Sequence, residues 1–184
     1  MSDLSMPIDH PPAVFFDRDG VLNVDTGYTH RLEDCQLIPG AAAAVRMAND
    51  AGYKTLVVTN QGGIALGYYT QDMMLAFHDR LTALIQAESG GVIDGLRFCP
   101  HHPDAADDAL RVCDCRKPSP KMILDLAQDH RIDLAASIMI GDRQTDIEAG
   151  QAAGCQSVLF TGGRLDLALS PYISERRRRD EPHR

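Results

Sequence analysis

Short apolar runs alternate along the chain with stretches whose apolar residues recur at helical spacing. Ala13–Phe16 is apolar without interruption, as a strand covered on both faces must be. Pro39-Gly40 introduces Ala41–Asp50, whose alanines give strong helix propensity, and Gly52 stops it. Lys54–Thr59 reads as a second buried strand, broken by Asn60-Gln61-Gly62-Gly63. A helix is predicted from Thr70, with Met73, Phe77, Leu81, Leu84 and Ile85 on its apolar face and Gly90-Gly91 at its end. Leu96–Cys99 is the third predicted strand. Ser119 and Pro120 mark the N-cap and first turn of a helix reaching about Gln128. Ser137–Ile140 predicts a fourth strand, Thr145 to Ala153 a short helix, and Ser157–Phe160 a fifth strand. Gly162-Gly163 then leads into a weak last helix and a tail.

Strands that alternate with helices specify an α/β fold: a doubly wound, mostly parallel sheet with helices on both faces. At 184 residues the chain suits one domain with a real core. The expected layout is a flexible lead over 1–12, a single domain over 13–170 and a basic, flexible tail over 171–184. Ligands of such sheets sit beyond the carboxyl ends of the strands. Three predicted strands end there in candidate chemistry, at Asp17, Thr59 and Asp142. The long polar connection Leu22–Pro39, with its turn-like Asp25-Thr26-Gly27-Tyr28, lies near the first of these ends.

Charge narrows the partners. A formal net charge of −8 disfavours a general nucleic-acid or anionic-membrane surface, and Arg176–Arg179 is read as a solvated extension. No stretch is long and apolar enough to span a bilayer, and Met1–His10 does not read as a secretory signal. A reducing, cytoplasmic setting is therefore expected. There the five cysteines are not a disulfide framework, and clustered ones suit a metal.

Val14-Phe15-Phe16-Asp17-Arg18-Asp19-Gly20-Val21 carries the sharpest signal: a buried run ending in two carboxylates one residue apart, then glycine. Residues i and i+2 of a strand point the same way, so the two charges repel unless a cation intervenes or the chain bends. Alone, Asp-Arg-Asp-Gly is equally readable as a solvated turn or as a hard-metal site with a carboxylate free to react. The rest of the chain decides. Thr59-Asn60, Arg116-Lys117-Pro118 and Gly141-Asp142-Arg143-x-x-Asp146 follow in order.

This ordered set resembles the haloacid-dehalogenase-like phosphohydrolases over about residues 13–163. Asp25-x-Gly27-Tyr28, Thr59-Asn60-Gln61-x-Gly63-Ile64 and Cys99-x-His101…Cys113-x-Cys115-Arg116-Lys117-Pro118 are most similar to the heptose bisphosphate phosphatases of that superfamily, a group related to histidinol-phosphate phosphatases. The resemblance implies no separate cap domain and a Mg²⁺ ion held by Asp17, Asp142 and the Asp19 carbonyl. Asp17 would attack phosphorus, Asp19 would move the protons, and Lys117 and the Thr59 hydroxyl would hold the phosphoryl oxygens. Asp146 would support the metal or Lys117 from behind. Asp25, Gly27 and Tyr28 would line the entrance, with Asn60, Gln61 and Gly62 on the substrate, Arg116 on its distal anion and Arg143 also in reach. Many relatives have Ser where Gly62 stands, often Gly at Lys121 and often Lys at Arg143.

Independently, Cys99, His101, Cys113 and Cys115 place four zinc-type ligands in one loop, 99–115, with no apolar pattern of its own. His102 is the competing ligand, and Cys35 and Cys155 are left as ordinary thiols. The expectation is a monomeric phosphatase acting on a small sugar phosphate, with Mg²⁺ and a structural Zn²⁺. A histidinol-phosphate phosphatase, a DNA 3′-phosphatase and a zinc-stabilised binding module without catalysis are the alternatives.

Overall fold

The structure, a computed structural model, describes residues 10–180. Five strands form one sheet: β1 (Ala13–Phe16), β2 (Lys54–Asn60), β3 (Gly95–Cys99), β4 (Ile138–Gly141) and β5 (Gln156–Leu159). They lie in the order β3-β2-β1-β4-β5, and every pairing is parallel. The helices are α1 (Ala41–Asp50), α2 (Gln71–Ser89), α3 (Lys121–His130), α4 (Gln144–Ala153) and α5 (Leu165–Asp180). The alternation of β1 explains the two layers. Val14 and Phe16 join a core with Ala44 and Val45 of α1, Leu81 and Ile85 of α2 and Leu165 and Leu169 of α5. Ala13 and Phe15 join the opposite core with Met122 and Leu126 of α3 and Ala149 of α4. The sheet is thus covered on both faces, as its unbroken apolar strands require. No second domain is present among the described residues, and no helix there is long and apolar enough to cross a membrane.

Several boundaries differ from the sequence reading. Ser119 and Pro120 both precede α3, and the Ser119 hydroxyl accepts from the Lys121 N–H at 3.3 Å, so the cap sits one residue further on. In α2 the buried methionine is Met74; Met73 is exposed, and Leu84 is half-buried. Thr70 caps this helix by accepting from Met73 N–H, which turns Met73 outward in the first turn. The lead expected over 1–12 is fastened at its end: Pro11 O accepts from Asp133 N–H and Pro12 O from Lys54 N–H. Residues 1–9 and 181–184 lie outside the described residues. The tail expected from 171 begins inside α5, where Leu165, Leu169 and Ile173 recur every fourth residue and are buried in the core with α1.

The order of strands sets the site. From β1 the chain winds outward through β2 and β3, then returns to β4 on the other side of β1. The crevice between the carboxyl ends of β1 and β4 is the topological switch point.

Candidate active site

Asp17 follows β1 directly, and its N–H donates to Ile140 O of β4 at 3.0 Å, so the two strand ends are stitched together where their acids emerge. Carboxylate oxygens of Asp17, Asp142 and Asp146 all lie within 4.8 Å of one another. Gly20, at φ +87°, makes this possible: a Cβ there would meet Asp142 Oδ2 at 2.4 Å. Burial pushes the Asp17 carboxyl up to about 7, against the pull of Lys117, with Asp146 and Asp19 adding to the rise. Burial and Asp146 also raise Asp142, whose Oδ1 is buried without a hydrogen-bond partner.

Lys117 is buried and spends all three donors here. Its Nζ reaches Asp17 Oδ1 at 2.8 Å, Val58 O at 2.8 Å and Asp146 Oδ1 at 2.6 Å. Burial opposes its charge, but Asp17 and Asp146 together outweigh it and hold its pKa above the ordinary value. The second oxygen of Asp146 accepts from Arg143 N–H at 3.0 Å. Asp146 is therefore occupied by protein donors, while Asp17 and the orphaned Asp142 oxygen still face a common point. Three carboxylates against one ammonium, with an unpartnered oxygen among them, fit a small hard cation.

Asp19 is gripped from two sides. Arg18 donates to both its oxygens, at 3.2 and 3.0 Å, and Asn23 Nδ2 donates to Oδ1 at 3.0 Å. Arg18 is wholly buried, spans to Thr29 O and lies over the Phe77 ring at 4.8 Å. From the end of β2, Gln61 Nε2 donates to Asp19 Oδ2 at 2.7 Å and to Thr59 Oγ1 at 2.8 Å. Gln61 is only 1% exposed and does not line the cavity, so it is not placed to touch substrate as the sequence reading expected.

A cavity of about 490 Å³ opens over these groups. Its walls include Asp17, Asp19, Thr59, Asn60, Gly62, Arg116 and Lys117, and Asp25, Gly27, Tyr28 and Arg143 stand on the rim, all among the residues expected from sequence. Asn60 also clasps the backbone of residue 117, donating to Lys117 O and accepting from Lys117 N–H. Arg143 donates to Asp25 Oδ2 at 3.2 Å, bridging the loops after β4 and β1. Tyr69, His102, Gln144 and Thr145 line the cavity without having been singled out for it. Gln144 and Thr145 open α4 just after Asp142, a placement that a helix beginning at a strand-end acid could have signalled. His102 was weighed only as a metal ligand; its Nδ1 instead accepts from Asp104 N–H, and its ring crosses above Gly62.

Behind this wall sit Cys99, His101, Cys113 and Cys115, with ligand atoms mutually within 4.8 Å. Cys99 Sγ lies 3.5 Å from Cys113 Sγ and 2.8 Å from Cys115 Sγ, and His101 Nδ1 is 3.4 Å from Cys115 Sγ. All five cysteines are free thiols. A tetrahedron with metal–sulfur bonds of about 2.3 Å has edges near 3.8 Å, so the cluster could hold a metal after slight expansion. Arg116 Nη1 donates to His101 O at 3.0 Å, which ties the cavity wall to the cluster.

Comparison with known proteins agrees with this geometry. Residues 114–176 match a HAD-hydrolase-like family model, HAD being the haloacid dehalogenases. The chain is 46% identical over 162 residues to the D-glycero-D-manno-heptose-1,7-bisphosphate 7-phosphatase of Thermosynechococcus vestitus, covering 86% of this chain and 83% of that one. The D,D-heptose 1,7-bisphosphate phosphatase of B. bronchiseptica, solved with magnesium and phosphate, superposes with a TM-score of 0.73 at 32% identity, covering 87% and 86% of the two chains. A had-like protein from Mesorhizobium loti gives a TM-score of 0.85 at 32% identity, covering 95% and 90%. At these identities over most of both chains, and with the fold shared, the chain belongs to the haloacid-dehalogenase-like phosphatases, in the same family as these heptose bisphosphate phosphatases.

Proposed function

We propose that this protein removes the 7-phosphate of D-glycero-D-manno-heptose 1,7-bisphosphate. The observation that carries the reading is the meeting of Asp17, Asp142 and Lys117 at one strand-end crevice, in a chain related to phosphatases of that substrate. A magnesium ion, held by Asp17, Asp142 and the Asp19 carbonyl, would supply neutralisation of charge on the phosphoryl oxygens. Asp17 attacks phosphorus in line, forming an aspartyl-phosphate as the P–O ester bond breaks. Asp19 gives its proton to the departing sugar oxygen, then takes one from the water that attacks phosphorus and releases Asp17. The Thr59 hydroxyl steadies an equatorial oxygen, and the Lys117 ammonium, held beside Asp17, offsets the charge that gathers there. Asp25, Gly27, Tyr28, Asn60, Gly62 and Arg143 surround the sugar, and Arg116 takes the distal phosphate, where its fork suits an anion. Asp146 keeps Lys117 charged and aimed.

Cys99, His101, Cys113 and Cys115 hold a structural zinc in this reading, since four protein ligands leave no open position for chemistry. The product would serve as a heptose precursor for surface polysaccharide. We read the enzyme as a cytoplasmic monomer, a setting in which five free thiols persist.

The test is a kinetic comparison of both heptose bisphosphate anomers with histidinol phosphate, in the presence of Mg²⁺. One heptose anomer should have the highest kcat/KM, and Asp17→Asn should abolish turnover without changing the fold by circular dichroism. A best substrate outside the heptose bisphosphates would defeat the specific assignment.

A further inference from the structure

Gln61 and Tyr69 form a buried relay that the chemistry above does not use. Gln61 is 1% exposed and Tyr69 6%. A glutamine amide has two N–H donors and one carbonyl acceptor. Here one N–H goes to Asp19 Oδ2, the other to Thr59 Oγ1, and the carbonyl Oε1 accepts from the Tyr69 hydroxyl at 2.7 Å. In this orientation both amide N–H groups meet oxygens and the carbonyl meets a hydroxyl, so every hydrogen-bonding group of the amide has a partner. Burial pushes the Tyr69 phenol up to about 12, so it remains a donor.

The relay is anchored at each end. Gln61 N–H donates to Cys99 O at 2.7 Å, fixing its backbone to the tip of β3. The Tyr69 ring stacks on His30, centroids 4.7 Å apart. It also lies against Gly63, where any Cβ would meet Tyr69 Cε1 at 2.3 Å. Because Thr59 Oγ1 accepts from Gln61, its own O–H is left to donate toward a phosphoryl oxygen.

We propose that Gln61, oriented by Tyr69, is a positioning residue that locks the proton-donating Asp19 and the phosphate-holding Thr59 hydroxyl into one rigid unit. The inference rests on the phosphatase reading. A general acid must stand within hydrogen-bond reach of the leaving oxygen, and a displacement of ~1 Å can cost about 10²-fold. Arg18 and Asn23 hold Asp19 from its own loop; among the described residues Gln61 is the one that bonds it and Thr59 at once.

The test uses two esters that differ in their need for a proton. The sugar alkoxide of heptose bisphosphate leaves only with protonation, whereas the nitrophenolate of p-nitrophenyl phosphate leaves without it. The ratio kcat/KM reports events up to phosphoryl transfer for both. Gln61→Leu should lose on the order of 10²-fold on the sugar ester and under about 10-fold on the aryl ester. Tyr69→Phe, which keeps the ring, should lose about 10-fold on the sugar ester and at most about 3-fold on the aryl ester. If Gln61→Leu does not fold, as its thermal melt would reveal, Tyr69→Phe decides alone. Equal losses on both esters would overturn the proposal and leave Gln61 a structural residue, and no loss on either would overturn it outright. If the wild-type enzyme cleaves neither ester, it is the phosphatase reading that falls, and this inference with it.

Discussion

Lys117 shows how much one side chain carries. Its ammonium separates two buried carboxylates and also satisfies a backbone carbonyl. Removing one partner from a buried ion cluster is more damaging than never having built it, because the remaining charges stay desolvated. Lys117→Met is accordingly expected to cost about 3–5 kcal/mol of stability in urea melts without metal. Divalent cation should restore part of that stability while turnover stays lost. Gly62 makes a different residue-scale prediction. A Cβ there would lie 2.7 Å from His102 Cδ2 and 3.2 Å from Arg116 Nη1. Gly62→Ser should therefore push the His102 ring and the Arg116 guanidinium outward, raising KM for heptose bisphosphate several-fold with a smaller effect on p-nitrophenyl phosphate. Asp17, Asp142 and Lys117 were legible in the sequence because they stand at strand ends and before a helix in ordered motifs that resemble those of the phosphohydrolases. Gln61 was legible as important but not in its role. Its partner Tyr69 stands eight residues away across a turn, and only side-chain packing shows that the amide faces inward.

At the level of elements, the loop 99–115 has almost no apolar packing of its own. It contains one short 3-10 turn, Asp108–Leu110, and of its residues only Cys99 and Ala105 are buried apolar groups. Yet it presents Arg116 and Lys117 to the cavity. Stripping metal with a strong chelator and then restoring only Mg²⁺ should speed amide exchange across 100–116, with β1 and β4 still protected, and should lower turnover. Unchanged exchange would mean that hydrogen bonds alone order the loop. The strands were the easiest elements to read, since β1 and β4 are buried at every position and tolerate only apolar residues. Helix registers were harder. One hydroxyl, Thr70, sets the start of α2 and exchanges the places of Met73 and Met74, which no hydrophobic pattern distinguishes. The length of α5 was underestimated because its apolar residues are sparse and Pro171 interrupts them.

For the whole molecule, the architecture and the meeting of three strand ends on one rim both followed from the alternation of apolar strands and helices, whereas the hydrogen bonds that join the loops there did not. His78 on α2 links that architecture to pH. Burial, joined by the nearby Arg18 charge and opposed by Asp79, lowers its pKa from 6.5 to about 4. Its Nδ1 is buried without a partner. Between pH 6.5 and 4 the unfolded chain takes a proton that the folded chain refuses, so stability is full above the ordinary histidine range and falls as pH drops. The loss from this residue should reach roughly 3 kcal/mol near pH 4. Urea melts of wild type and His78→Leu across that range should therefore show the variant losing less stability on acidification.

The salt bridge between Asp25 and Arg143 has a bearing on selectivity. It hangs across the entrance, and the Arg143 side chain is 66% exposed. Such pairs hold with no more than about 1 kcal/mol. A visitor bearing two anionic ends can trade one of them for Asp25 at that small expense and swing the arginine onto itself. A visitor with a single anionic end, once that end is committed at the floor, has nothing to offer the arginine and leaves the gate latched across its path. Preference for a doubly charged sugar would then arise at the doorway, apart from the aspartate proposed to attack phosphorus.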